Sequence, residues 1–395
     1  MKHNAHQDLT IRYALIQAFF WISFSAITGF ASPFLLDSGF SNSQIGFIIA
    51  AGGIFSAIFQ PMLASFADIP QSPSIKKILI ALSGILLGFS ILLLVIYKNS
   101  MIVTGLFFGA CITVLQLLTP FINSLGIESL NQGKNLNYGI SRGVGSLSFA
   151  IESYILGIIV TRFGTKSIPV IMILTFVFLI FALIFFPFMK VTKKEDEKNT
   201  GEHTRLLSFF IKYKRFSVVL AGSILIYISH SLLNSFIFQI IRSKGGSNSE
   251  MGTAMALAAL VELPTMFFFD TLVKKVRCDI LFRISGIFFT VKALGSQLAP
   301  SVFSFYLVQI LQTGGWALNT VSSVYYVNSI MEEQDVIKGQ AYMTMAYTIG
   351  SVIGALVGGV LIDGAGVNAM LLFSTIMALT GTLIIIPACQ KTVNS

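Results

Sequence analysis

Twelve mostly apolar stretches follow one another along the chain, separated by short polar turns: 13–36, 44–66, 78–97, 101–125, 138–160, 168–189, 216–240, 250–272, 280–298, 302–327, 339–361 and 367–389. A helix needs about 20 such residues to cross about 30 Å of hydrocarbon. The pattern therefore predicts twelve transmembrane helices and an all-α polytopic membrane protein. The second, eighth, tenth and eleventh stretches are interrupted by Gly, Ser, Thr, Asn and Gln. Such residues suit helix contacts or a wet cavity better than lipid.

Composition agrees with this pattern. Apolar residues make up 54% of the chain, charged residues only 11%, and the mean hydropathy is +0.81. A soluble globule carries about 25% charged residues, so soluble, disordered and disulfide-scaffold classes are excluded. The net charge of +9 reflects where the basic residues fall and does not call for a nucleic-acid partner. With the N-terminus inside, nineteen Lys and Arg lie on the inner side, five on the outer side, and Arg142 and Lys292 within spans. Inner loops are enriched in Lys and Arg, so both termini are expected in the cytoplasm. The first span is too long for a cleaved signal and should be retained. Cys111, Cys278 and Cys389 offer no pair on the oxidising side, and neither a disulfide nor a metal site is expected. Nothing in the sequence calls for a cofactor.

The longest polar stretch, 190–215, carries charges of both signs and no apolar period. It reads as a cytoplasmic linker between an N-terminal six-helix bundle (1–189) and a C-terminal one (216–395). An internal echo supports duplication: Gly46, Asp68 and Lys76-Lys77 in the first half answer to Gly252, Asp270 and Lys274-Lys275 in the second. Six plus six spans about a cytoplasmic linker is the layout of the major facilitator fold, whose substrate site lies near the bilayer midplane between the halves.

A charge at the bilayer centre costs at least about 2.5–3.5 kcal/mol, which makes intramembrane ionisable groups functional candidates. Six stand out: Glu128, Arg142, Glu152, His230, Glu262 and Lys292. Glu262 lies in VELPTMFFF, with Pro264 close by to free a carbonyl and bend the helix. It is a binding or coupling acid, or the partner of Lys292 in a structural ion pair. Arg142 offers a planar fork for hydroxyls or a carboxylate, and Phe149 returns to its helix face seven residues later. The alternatives are an arginine that snorkels to the interface and a phenylalanine that packs. Glu128 could pair with Arg142 or end its span exposed. Glu152 is a second proton site or faces an outer vestibule. His230 is a proton-handling residue, or, as the favoured reading, a histidine bonded to a neighbouring Ser or Asn. In the tenth span Gln309, Gln312 and Trp316 are spaced three and four apart, which on an α-helix puts them on one face. They line a cavity for a polar ring, or bond between helices.

The run SPFLLDSGFSNSQIGFIIAAGGIFSAIFQPMLASFAD, with YGISRGVGS and VELPTMFFF further on, resembles the lactose-permease-like branch of the major facilitator superfamily. Its members are proton symporters of oligosaccharides, nucleosides and phenylpropionates. The resemblance implies that Arg142 grips sugar, that Glu128 is its acidic partner, and that Phe149 stands where a stacking tryptophan is usual. It makes Glu262 a sugar-binding and coupling acid. Lys292 takes the place of an arginine beside the proton site. The branch's histidine and glutamate on span ten correspond here to Gln312 and Gly315, and its lysine to Gln309. Any proton must then be carried by Glu262 or Glu152, with Lys292 tuning it. The expected protein is a multi-pass transporter of the cytoplasmic membrane, not an enzyme. It works by alternating access, importing a sugar or similar small hydroxylated solute with protons. The competing expectation is an exporter of drugs or metabolites. A receptor or scaffold is disfavoured because no stretch outside the spans is long enough for a soluble domain.

Overall fold

The computed structural model describes residues 2–69, 71–131, 136–187 and 206–392, and every regular element among them is a helix. In chain order these are α1 (Lys2–Phe24), α2 (Ala31–Asp37), α3 (Asn42–Asp68), α4 (Ile75–Val95), α5 (Met101–Asn131), α6 (Tyr138–Phe163), α7 (Ser167–Phe185), α8 (Leu206–Lys212), α9 (Lys214–Ser235), α10 (Ile237–Ser243), α11 (Asn248–Val273), α12 (Cys278–Leu298), α13 (Val302–Gln309), α14 (Leu318–Ile330) and α15 (Glu333–Ala388). Most of the linker expected at 190–215 lies outside the described residues; α8 and the first residues of α9 occupy its end.

Twelve spans account for all of these helices but α8. The first is α1 and α2 joined by a π turn, Ser25–Gly29, and the seventh is α9 followed by α10. The eleventh and twelfth run together as α15, broken at Gly366, where φ is 83° and ψ 173°. A side chain rarely adopts that backbone, and glycine adopts it readily. The tenth span departs from the sequence expectation. It is no continuous α-helix: α13 passes into a 3₁₀ turn (Ile310–Gln312), then a π turn (Thr313–Ala317), before α14. Gly314 and Gly315 lie in the π turn, and a Cβ on Gly314 would strike the ring of Phe288. Two adjacent glycines weaken α propensity here and let a neighbouring ring sit against the backbone.

The echo between the halves extends into backbone detail. Ser41 caps α3 in a reciprocal box, its hydroxyl accepting from Gln44 N–H (3.3 Å) and its N–H donating to Gln44 Oε1 (2.9 Å). In the second half Ser247 N–H donates to Glu250 Oε2 at 2.8 Å, at the start of α11. Both arrangements satisfy orphan donors at a helix start, the Ser247 hydroxyl accepting from Ser249 N–H at 3.2 Å. Positive-φ glycines recur in the same order: Gly39 and Gly164 in the first half, Gly245 and Gly366 in the second.

The described residues pack as two compact units. One comprises Met1–Lys193 with Gly246–Leu260, the other Lys194–Gly245 with Val261–Ser395. In the first unit, Arg12 and Lys76 donate to the carbonyls at the end of α7: Arg12 Nη1 to Phe185 O (2.8 Å), Lys76 Nζ to Ile184 O (2.7 Å) and Phe186 O (2.8 Å). Cations there complement the helix dipole. At the other end of the unit, Asp37 accepts from Thr165 (2.5 Å), Tyr97 (2.6 Å) and Lys98 (3.0 Å). Burial pushes the Asp37 carboxyl up, but these hydrogen bonds outweigh it and hold it below the usual carboxylate value. The first unit also contains a glycine contact: Gly157 on α6 meets Gly252 on α11 with Cα atoms so close that a Cβ on Gly252 would overlap Ser153 O.

In the second unit the chain's end is tied to α12. Asp279 accepts from Thr392 N–H (3.2 Å), from Thr392 Oγ1 (2.9 Å) and from Arg277 (2.9 Å). Burial raises its carboxyl, yet these donors hold it at about 2, below the usual 3.8. A carboxylate depressed on folding stabilises above its unfolded pKa and loses that contribution as pH falls through the folded value. The tether is therefore expected to hold above pH ~4 and to weaken progressively toward pH ~2. Asp279→Asn should release it at neutral pH, and the measurement is hydrogen exchange at Thr392 N–H. Unchanged protection in the variant would show that the tether is held by other contacts.

Candidate functional site

Each unit holds a polar cluster at membrane depth. In the first, Tyr13, Gln17 and Trp21 recur every four residues on α1 and so share one face. Tyr13 OH donates to Ile122 O on α5 (3.0 Å), Gln17 Nε2 donates to Tyr13 OH (2.8 Å), and Trp21 Nε1 donates to Gln17 Oε1 (3.1 Å). This ladder fixes the indole, and the Arg142 guanidinium lies over it, Cζ 4.2 Å from the ring centroid. Arg142 Nη1 also donates to Ser146 Oγ one turn on (2.8 Å). Gly145 makes room, since a Cβ there would fall 2.5 Å from Trp21 Cδ1.

The aromatic on Arg142 is Trp21, and Phe149 meets Trp21 edge-on at 6.3 Å. Seven-residue spacing placed Phe149 correctly on the face, but the indole from α1 stands between. The four-residue ladder on α1, ending in one of only two tryptophans in the chain, is the signal that identifies Trp21. Glu128 is half-buried near the end of α5. Glu152 lies ten residues beyond Arg142, about 15 Å along α6. It is only 8% exposed, and neither carboxylate oxygen has a hydrogen-bond partner.

In the second unit Gln312 joins an acid to a base. Its Nε2 donates to Glu262 Oε1 (2.8 Å) and its Oε1 accepts from Lys292 Nζ. The amide's orientation follows from its partners, because a carboxylate accepts only and an ammonium donates only. Lys292 is 2% exposed and feels the Glu262 charge directly. Glu262 and Lys292 are thus linked through Gln312. Thr265 and Thr313 hydroxyls, 2.6 Å apart, tie α11 to the π turn beside this chain. Gln309 is buried at the end of α13 and stands outside it.

Trp316 lies in the π turn and stacks on His230, centroids 4.3 Å apart and planes at 5°. Asn234 Nδ2 donates to His230 O (2.7 Å) and sits 3.2 Å from the ring nitrogens, so the expected Asn partner is present. Tyr227 and Tyr347 border the indole, and Tyr227 OH donates to Asn319 Oδ1 (2.8 Å), whose Nδ2 donates to Ser285 Oγ (3.0 Å). The stack on His230 is invisible in sequence, since it needs α9 and the π turn to meet.

Chemically, the first cluster offers a flat cation on an aromatic plate, suited to hydroxyls or a carboxylate. The second offers a half-buried acid and a buried base joined by an amide that can pass neither charge nor proton at neutral pH. Among the described residues no group of His, Cys, Asp and Glu could hold a metal ion.

Comparison with known proteins agrees with this architecture. Over 379 residues the chain is 24% identical to the uncharacterized transporter YwbF of Bacillus subtilis (strain 168), covering 93% of this chain and 91% of the relative. It is 21% identical to the maltose permease of Geobacillus stearothermophilus over 393 residues, 96% of this chain and 94% of that one. Its fold matches the crystal structure of the nucleoside transporter NupG with a TM-score of 0.80 at 13% identity, covering 96% of this chain and 98% of the other. The profile of the MFS_1 like family matches residues 10–374. With twelve spans, a match over nearly its whole length and transporters among its relatives, the chain belongs to the MFS_1 like family: it is an integral membrane transporter of the major facilitator fold and not an enzyme.

Proposed function

We propose that the protein imports a sugar or a related small hydroxylated solute across the cytoplasmic membrane by alternating access, coupled to protons, with both termini cytoplasmic. The observation that carries this reading is the Glu262–Gln312–Lys292 chain, a protonatable acid held beside a buried base at membrane depth. Glu262 takes up the proton, Lys292 tunes it, and Glu152 is a second protonatable carboxyl. Arg142 grips hydroxyls, with Trp21 and Phe149 as the apolar plate beside it and Glu128 as its acidic neighbour. Trp316 offers a second ring face, with Gln309 and Gln312 as amide partners. Support for the substrate class comes from a maltose permease and a nucleoside transporter among the similar proteins, since both ligands carry sugar hydroxyls. Basic residues concentrated in alternate loops support the orientation.

The test is the pH change evoked by solute in intact cells or right-side-out vesicles, screened over mono- and disaccharides and nucleosides. One solute should alkalinise the medium as it accumulates. Accumulation without proton movement removes the coupling from the reading. Absence of uptake across the panel, with lowered accumulation of a hydrophobic dye, turns the reading to export.

A further inference from the structure

Glu152 borders a crevice of about 210 Å³ formed by α1, α6 and α7 and lined by Ile22, Ile151, Ile155, Leu156, Ile159 and Ile171, with Ser148. The carboxylate is its charged group. Ser25 lies within reach of the Glu152 carboxyl and also bonds to Ser153 Oγ at 2.8 Å; both Glu152 oxygens are buried, and neither makes a hydrogen bond of good geometry. Ile151 and Ile155 are half exposed, and α7 presents Val170, Leu174 and Phe178 outward. Exposed surface of this composition on membrane-spanning helices faces acyl chains, so the crevice opens toward the bilayer.

A buried carboxylate without a partner is costly, and the cost is relieved by a proton or a cation. The walls exclude a hydrated inorganic ion, because beyond Ser148 they offer no oxygen ligands of the kind such ions need. Size narrows the occupant further. An apolar cavity of about 150 Å³ holds one benzene ring, so this crevice holds a ring and a short amino-alkyl arm. We infer that the Glu152 crevice is a bilayer-facing binding site for a small hydrophobic amine, its ammonium on the Glu152 carboxylate and its apolar body along the isoleucines. This does not rest on the transport reading. A proton and an organic cation are alternative occupants of one carboxylate, and no residue of the Arg142 or Glu262 clusters lines the crevice.

The experiment is thermal unfolding of the purified full chain in nanodiscs, titrated with phenethylamine and with the neutral phenethyl alcohol. Phenethylamine should raise the unfolding temperature saturably, and the alcohol should do so much more weakly. Glu152→Gln should weaken the amine's apparent affinity about 30-fold or more, as loss of one partner of a buried charge pair does. Should Glu152→Gln prove unfolded, Ile155→Trp, which fills the crevice and keeps the carboxylate, should abolish the effect. The inference is overturned if the amine gives no stabilisation up to its solubility limit or the alcohol matches it. It is also overturned if Ile155→Trp leaves binding intact, or if Glu262→Gln removes the effect while Glu152→Gln keeps it.

Discussion

Glu262→Gln is expected to abolish uphill accumulation of the transported solute while leaving exchange of solute across the membrane in place. The amide keeps the shape and can still bond to Gln312, but it cannot take up a proton, so the gradient no longer drives the cycle. Glu262→Ala should be more severe. It removes the half-buried acid whose charge acts on the 2%-exposed Lys292, leaving a buried ammonium without that counter-charge. Little folded protein is expected from that variant, and Lys292→Met placed in the same chain should recover it. Uptake of labelled solute and size-exclusion of detergent extracts read the two effects separately. Accumulation at the wild-type level in Glu262→Gln would remove Glu262 from the coupling step.

Arg142→Lys should lower apparent affinity for the solute by about 100-fold with little change in protein yield. A lysine keeps the charge, but it loses the planar fork that binds two oxygens at once and stacks flat on an indole. Trp21→Ala should weaken affinity less, by the roughly 0.5–2 kcal/mol of a cation–π contact, because Arg142 retains Ser146. Trp21→Phe should fall between, since it preserves a ring and loses the bond to Gln17. Phe149→Ala should be milder than Trp21→Ala, as its ring meets the indole and not the guanidinium. Concentration dependence of uptake gives the ranking, and a larger effect from Phe149 than from Trp21 would reverse the arrangement proposed for this cluster.

The spans were legible because the bilayer leaves few choices: a stretch of about 20 apolar residues must be helical there. The echo between the halves is equally legible, and the Ser41 and Ser247 helix starts and the positive-φ glycines repeat it. Within the clusters, Arg142, Glu262 and Lys292 were found because charge is rare at that depth. The neighbours that orient them were harder to see. Trp21 reaches Arg142 from another helix, and period arithmetic on α6 could only propose Phe149. In the tenth span α-helical spacing is the natural expectation, but the 3₁₀ and π turns there change the angle between successive side chains. Gln312 nevertheless reached Glu262, while Gln309 did not join that chain.

The two π turns, Ser25–Gly29 and Thr313–Ala317, lie next to the chain's two tryptophans: Trp21 is four residues before the first and Trp316 is inside the second. Such a turn widens the helix and changes the angle at which the residues on either side of it leave the axis. The plate under Arg142 and the ring on His230 are thus each aimed by an irregular backbone turn and not by the α-helical period.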